Sequence, residues 1–365
     1  MSIYFCPTTH DCTLKFYTVY TQICTMKYFV ALLLIGVFCF SLASSRSVTP
    51  ASADAGKKYG LSFVAPPDSF STEAMEAVRH AGAGWIAAIP YAFTRVGEPR
   101  VYYNSGRQWW GERPEGCRHT IRLAHEAGLR VMLKPQVYVP RGWVGSLDFD
   151  TEEAWQSWEN DYEAYILPFA EMAEELNVAL FCIGTEFKTA VPKREAFWRR
   201  LIAKVRQRYS GPLTYAANWD EYAKVPFWDA LDYIGVDAYF PLSEAATPSV
   251  NELAGHWQPW VEQLRDFSHK TQLPILFTEY GYLSVDGCAG KTWELEKKLP
   301  ELAPNQQAQA NAIEALLLVF SREDFWAGGF LWKWYPTRRG REDQYGKDYT
   351  PQGKTALEIL RSRYR

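Results

Sequence analysis

Two glutamates close runs that are otherwise apolar. One run is Val178-Ala179-Leu180-Phe181-Cys182-Ile183-Gly184-Thr185-Glu186, and the other is Pro274-Ile275-Leu276-Phe277-Thr278-Glu279-Tyr280-Gly281. A carboxylate in such company loses hydration, so it needs either a cationic partner or a task that depends on its protonation state. For either acid alone, an ion pair to Lys134 or another basic residue is the plain alternative; two matched acids weaken it. Cleavage of a glycosidic bond needs two such groups in one place. One protonates the leaving oxygen while the other attacks the sugar or activates water.

Such a pair must be positioned by the elements that carry it. From Tyr59 onward, short apolar runs alternate with amphipathic stretches, the pattern of a parallel sheet. Eight strands are predicted: Tyr59–Ala65, Gly84–Phe93, Arg130–Val139, Val178–Phe187, Leu213–Trp219, Tyr233–Phe240, Ile275–Gly281 and Gly328–Tyr335, with seven helical segments between them. Ser71-Thr72 opens the first helix, Thr151-Glu152-Glu153 the third, Pro192 to Tyr209 forms the fourth, and Gly353 to Arg363 follows the last strand. The expectation is an α/β fold, a single (β/α)8 TIM barrel over residues 59–365. An open doubly wound sheet is the alternative. It is weakened because Phe63-Val64-Ala65-Pro66-Pro67 stands where a Gly-rich phosphate loop would follow the first strand. In a barrel, chemistry sits at the C-terminal strand ends, and the fourth and seventh strands face each other across it.

The 365 residues are 47% apolar and 22% charged with a net charge of −3, which describes a well-packed globular chain and gives no electrostatic case for nucleic acid or an anionic membrane. A neutral ligand fits better. Aromatic residues make up 16% of the chain, including 15 Trp. This serves either a large aromatic core or a carbohydrate cleft, where the apolar face of a pyranose stacks on an indole.

Residues 1–25 read as an upstream segment ahead of the true start, and 26–43 as a signal peptide: Lys27, the apolar run Tyr28–Phe40, then small residues around Ala43. The run is too short for a permanent membrane span, so export is expected. Residues 44–58 form a polar leader. Of seven cysteines, three remain past the leader; Cys182 reads as a buried apolar residue, and a bridge between Cys117 and Cys288 is possible. These spacings build no metal cluster, and no organic cofactor is expected.

Strands four and seven, together with Leu331-Trp332-Lys333-Trp334-Tyr335-Pro336, resemble the retaining glycoside hydrolases of clan A. More narrowly, the chain resembles glycoside hydrolase family 113, the endo-β-1,4-mannanase family. Trp85–Tyr91, Met132–Gln136, Arg141–Gly145 and Asp237–Leu242 support this likeness, which spans nearly all of residues 59–365. The resemblance implies that Glu186 is the general acid/base and Glu279 the nucleophile of a double displacement on a β-linked polysaccharide or oligosaccharide, most specifically β-1,4-mannan. Most clan A enzymes carry Asn before the acid/base to hold the sugar 2-hydroxyl, whereas Thr185 stands here, as fits the narrower family. Asn218 is the candidate for that contact, and a turn residue is its alternative. Tyr239 could donate its hydroxyl to Glu279, or could be a packed barrel aromatic. Trp332 is placed to stack beneath the sugar, Trp109, Trp110, Trp143 and Trp219 to extend the cleft, and Lys134 and Asp237 to form its polar floor. Loops after strands two, three and six are expected to set the number of sugar sites, and a monomer is expected. Rival readings are a hydrolase of another β-glycan, an exo-acting β-glycosidase, and a non-catalytic glycan-binding barrel.

Overall fold

Two prolines decide where the second and third apolar runs stop being barrel strands. The computed structural model describes residues 56–336 and 346–364. Its strands are β1 (Lys58–Phe63), β2 (Trp85–Ala88), β3 (Tyr91–Phe93), β4 (Arg130–Leu133), β5 (Gln136–Tyr138), β6 (Leu180–Thr185), β7 (Leu213–Asn218), β8 (Tyr233–Asp237), β9 (Ile275–Tyr280) and β10 (Trp326–Trp334). Eight close a parallel barrel in the ring order β1, β2, β4, β6, β7, β8, β9, β10. The two remaining strands, β3 and β5, form a separate parallel ribbon. Each run expected as one long strand is cut by a proline, Pro90 or Pro135, which has no N–H to give to a ladder. The cuts fall at one level: Lys134 N–H donates to Ala88 O and Gln136 N–H to Pro90 O. The ribbon therefore rises from the barrel rim as a unit.

The helices are α1 (Glu73–His80), α2 (Pro114–Glu126), α3 (Glu152–Glu175), α4 (Ala190–Lys193), α5 (Glu195–Arg206), α6 (Val250–Thr271), α7 (Thr292–Leu295), α8 (Gln306–Phe320) and α9 (Thr355–Arg363). Thr151 caps α3 as expected, its hydroxyl accepting from Ala154 N–H. The single helix expected over 192–209 is broken at Arg194, which leaves helical geometry and bonds Glu152 and Glu159 of α3. A second correction concerns the link between β7 and β8, where a helix was expected. Among the described residues it holds only two 3-10 turns, Tyr222–Lys224 and Trp228–Ala230. Pro226 interrupts the stretch, and buried Tyr222, Phe227 and Trp228 fill the space a helix would cover.

Apolar residues occupy two layers. Trp85, Ala87, Met132, Leu180, Leu276 and Phe330 form a small cluster of their own, and the large cluster packs strands against helices. Cys117, Cys182 and Cys288 are all buried and unpaired, so the bridge between Cys117 and Cys288 is not formed. The first strand begins at Lys58, the last residue assigned to the leader. The upstream segment, the signal peptide and the leader as far as residue 55 lie outside the described residues. No helix among the described residues is long and apolar enough to cross a membrane.

Candidate active site

At the rim, backbone irregularities re-aim both glutamates. The register between β8 and β9 slips between Val236 and Asp237, so that Glu279 rather than Thr278 lies opposite Asp237. Asn218 of β7 also pairs with Asp237, bringing three polar residues to one level. On the other side the register of β6 with β7 slips between Cys182 and Thr185. The next residue, Glu186, adopts φ +56°, a left-handed conformation costly for a residue with a Cβ. Hydrogen bonds hold it there: Glu186 N–H donates to Ala216 O at 2.8 Å, and Tyr215 hydroxyl accepts from Phe187 N–H at 2.7 Å. Such bulges are common next to active sites because they redirect a side chain.

The two carboxylates have unequal company. Glu279 Oε1 accepts from Lys134 Nζ at 2.5 Å and from Gln136 Nε2 at 2.8 Å, while its Oε2 accepts from the Tyr239 hydroxyl at 2.8 Å. Glu186 has, among the described residues, one donor, Trp143 Nε1, 3.1 Å from Oε2. Lys134 is fully buried and also lies 3.3 Å from Asp237 Oδ1, which accepts from the Thr278 hydroxyl at 2.8 Å. Burial alone would discharge this lysine, but Asp237 and Glu279 outweigh it and raise its pKa. Burial pushes the Asp237 carboxyl well above the ordinary range against the pull of Lys134.

Glu186 is pushed up to about 7, first by burial and then by the charge of Glu279, against the opposing effects of the Trp143 N–H and Lys134. A carboxyl at that value exists in both protonation states at neutral pH, as a group that must give and then take a proton requires. Glu279 instead accepts from a charged amine and two further donors, which fix the orientation of its carboxylate.

Both acids open into a cleft of about 770 Å³. Trp143, Trp219 and Trp332 line it, with Asn218 and Tyr239 among them, and Lys134 lies directly beneath it. Asn218 Oδ1 accepts from Trp219 N–H, so its amide nitrogen is what it can offer a ligand. Trp109 and Trp110 do not line the cleft; Trp110 packs on His119 with ring centroids 5.1 Å apart. The expected loop assignment also shifts. The lining residues come from the ends of β7, β9 and β10 and from segments after β5, β6, β7, β8, β9 and β10, and none from the loop between β3 and α2 that carries those two tryptophans.

Sequence reasoning missed Gln136, Trp293, Glu296, Lys297 and Tyr349. Gln136 had a readable signal, since it lies two residues beyond Lys134 on the same extended run. Trp293 sits in a polar stretch far from any strand end, and only the fold stacks it on Trp219, with centroids 5.9 Å apart and planes 16° apart. Among the described residues, no three His, Cys, Asp or Glu converge as a metal site.

Residues 67–354, most of the chain, match the sequence profile of Glycoside Hydrolase Family 113. The chain belongs to glycoside hydrolase family 113. It is therefore a glycoside hydrolase acting on carbohydrate. Among solved structures it is similar to a family 113 β-mannanase from Alicyclobacillus acidocaldarius in complex with ManMIm. The two are 27% identical, with a TM-score of 0.75 over 86% of this chain and 99% of the other. A second family 113 structure, a β-1,4-mannanase complex, is 24% identical with a TM-score of 0.72, covering 84% of this chain and 98% of the other. The β-glucuronidase of Faecalibacterium prausnitzii shares the fold alone, at 14% identity and a TM-score of 0.57, with 84% of this chain matching 48% of the other. No curated protein matches the sequence.

Proposed function

We propose that this family 113 member hydrolyses β-1,4-mannan with retention of configuration, with Glu279 as nucleophile and Glu186 as general acid/base. The observation that carries the assignment is the unequal company of the two acids. Among the described residues, three donors converge on Glu279, whereas Glu186 has a single donor and is pushed up to about 7. In the first step Glu279 Oε attacks the anomeric carbon as the glycosidic C–O bond breaks, and the Glu186 proton goes to the departing oxygen. The negative charge on Glu279 is consumed in the ester bond, which leaves Glu186 ionised in a less repulsive field. Water then attacks the anomeric carbon, its proton returns to Glu186, and Glu279 leaves as the carboxylate. Lys134, Gln136 and Tyr239 hold Glu279 in position as a nucleophile and stabilise it as a leaving group. Trp332 supplies an aromatic face at the cleavage point, and the indoles of Trp143 and Trp219 supply others along the cleft. Mannan as substrate rests on the family 113 β-mannanases to which the chain is similar.

The assignment is tested with Glu279→Ala and Glu186→Ala on mannan oligosaccharides and on an activated aryl glycoside. The first is expected to lose hydrolysis while still binding sugar. The second is expected to retain cleavage of the aryl glycoside and to be rescued by azide, giving a glycosyl azide of retained configuration. Full activity in either variant, or inverted product by NMR, would overturn the assignment. We also propose export, on the pattern of Lys27, Tyr28–Phe40 and the small residues near Ala43; sequencing the N-terminus of the secreted protein tests it.

A further inference from the structure

The wall that holds Glu279 continues outward past the residues that touch it. In the ribbon, Tyr91 pairs with Gln136, Ala92 with Val137, and Phe93 with Tyr138. Side chains two apart on a strand share a face. Gln136 donates to Glu279, and the charge of Glu279 adds to burial in raising the Tyr91 hydroxyl, so this face looks over the carboxylates. Ala92 and Val137, on the opposite face, are buried in the core. Phe93 and Tyr138 therefore stand above Tyr91 and Gln136, roughly 7 Å further from the barrel. Their rings meet edge to face with centroids 6.0 Å apart. Tyr138 is nevertheless 53% exposed, which makes it one of the few large apolar side chains left in water.

The platform is rigid. Phe93 and Tyr102 exchange backbone hydrogen bonds of 2.8 Å, Thr94 N–H donates to Tyr138 O, and the buried Tyr165 hydroxyl reaches Pro90 O and Gln136 O. It is also continuous with the cleft. Gly142 lines the cleft, and a Cβ there would sit 2.9 Å from Val139 and 3.0 Å from Val96, so the end of the ribbon abuts the cleft wall at this point. A fixed, half-wet aromatic pair above a carbohydrate site suits the apolar face of a pyranose.

We infer that Phe93 and Tyr138 form a distal sugar subsite, which stacks a further unit of the same polysaccharide chain whose scissile bond lies between Glu186 and Glu279. This rests on the proposed β-glycan hydrolysis and adds to it that the enzyme engages long chains beyond its cleft. The test compares wild type, Tyr138→Ala and Tyr138→Phe on a mannan hexasaccharide and on an aryl glycoside too short to reach the ribbon. Tyr138→Ala is expected to lose roughly 3- to 10-fold in kcat/KM on the hexasaccharide and nothing on the short substrate. Tyr138→Phe keeps the ring and should match wild type on both. An unchanged hexasaccharide rate, or an equal loss on both substrates, would overturn the subsite. Hexasaccharide binding to Glu279→Ala, with and without Tyr138→Ala, reads the subsite without turnover. A wild type that cleaves no β-glycan, yet whose binding weakens with Tyr138→Ala, would therefore condemn the proposed reaction and not the subsite.

Discussion

Replacing Trp143 by phenylalanine removes the indole N–H that donates to Glu186 while leaving a ring on the same loop. The indole lies over the backbone at Gly145, where a Cβ would sit 2.3 Å from it, so the loop dictates where the N–H points. A hydrogen bond to an ionised group contributes about 1.5–3 kcal/mol net. Trp143 is 40% exposed, so water takes over part of the role. Loss of about 1 kcal/mol remains, or roughly 0.7 of a pKa unit. The bond favours the ionised form, so its loss raises the Glu186 pKa, from about 7 into the range of about 7.5 to 8. The assay is the pH dependence of kcat/KM and of kcat on a short aryl glycoside. The alkaline limb of kcat/KM should move up by roughly half to one unit, because the acid stays protonated longer. At neutral pH, kcat for substrates limited by breakdown of the covalent intermediate should change much less, because the ester removes the Glu279 charge that helps to raise Glu186 and the base stays ionised. An alkaline limb that stays in place or moves down, with sugar affinity intact, would refute the reasoning.

Two further outcomes follow from the buried charges. Lys134→Met strips the counter-charge from two carboxylates in the barrel mouth and should cost about 3–5 kcal/mol in urea unfolding. An unfolding midpoint unchanged from wild type would argue against the pairing. Glu186→Gln tests linkage. Glu186 binds its proton more tightly in the folded state, at about 7 against 4.5 for the ordinary group, so wild-type stability should fall as pH rises through that window. Removing the ionisable group should make the variant more stable than wild type above pH 7, by up to about 3 kcal/mol, with little difference near pH 4. Parallel melting curves at the two pH values would contradict the raised pKa.

The barrel was legible in the sequence because its signal is local. Apolar runs such as Leu180–Thr185 and Ile275–Tyr280 alternate with capped amphipathic helices, and this periodicity survives without knowledge of any partner. The same locality exposed Glu186 and Glu279, since an acid ending an apolar strand is anomalous on its own. Boundaries failed where a single residue overrode the pattern: Pro90 and Pro135 cut strands that hydropathy runs straight through, and Arg194 breaks a helix to reach acids on α3.

What the two acids can do was decided by contacts between distant segments. Lys134 had been the suspected partner of either glutamate, and spacing offered no choice between them; the barrel sets it against Glu279 and Asp237 and leaves Glu186 to Trp143. Likewise Trp109 and Trp143 read alike as loop tryptophans, yet only Trp143 lines the cleft, and Trp293 joins from a segment with no motif to mark it. Residue type and periodicity are properties of the chain and determine which elements form. Protonation state and partner depend on distances of a few ångströms across the barrel mouth, which exist only once closure and the register slips on β6 and β9 have brought those strand ends together.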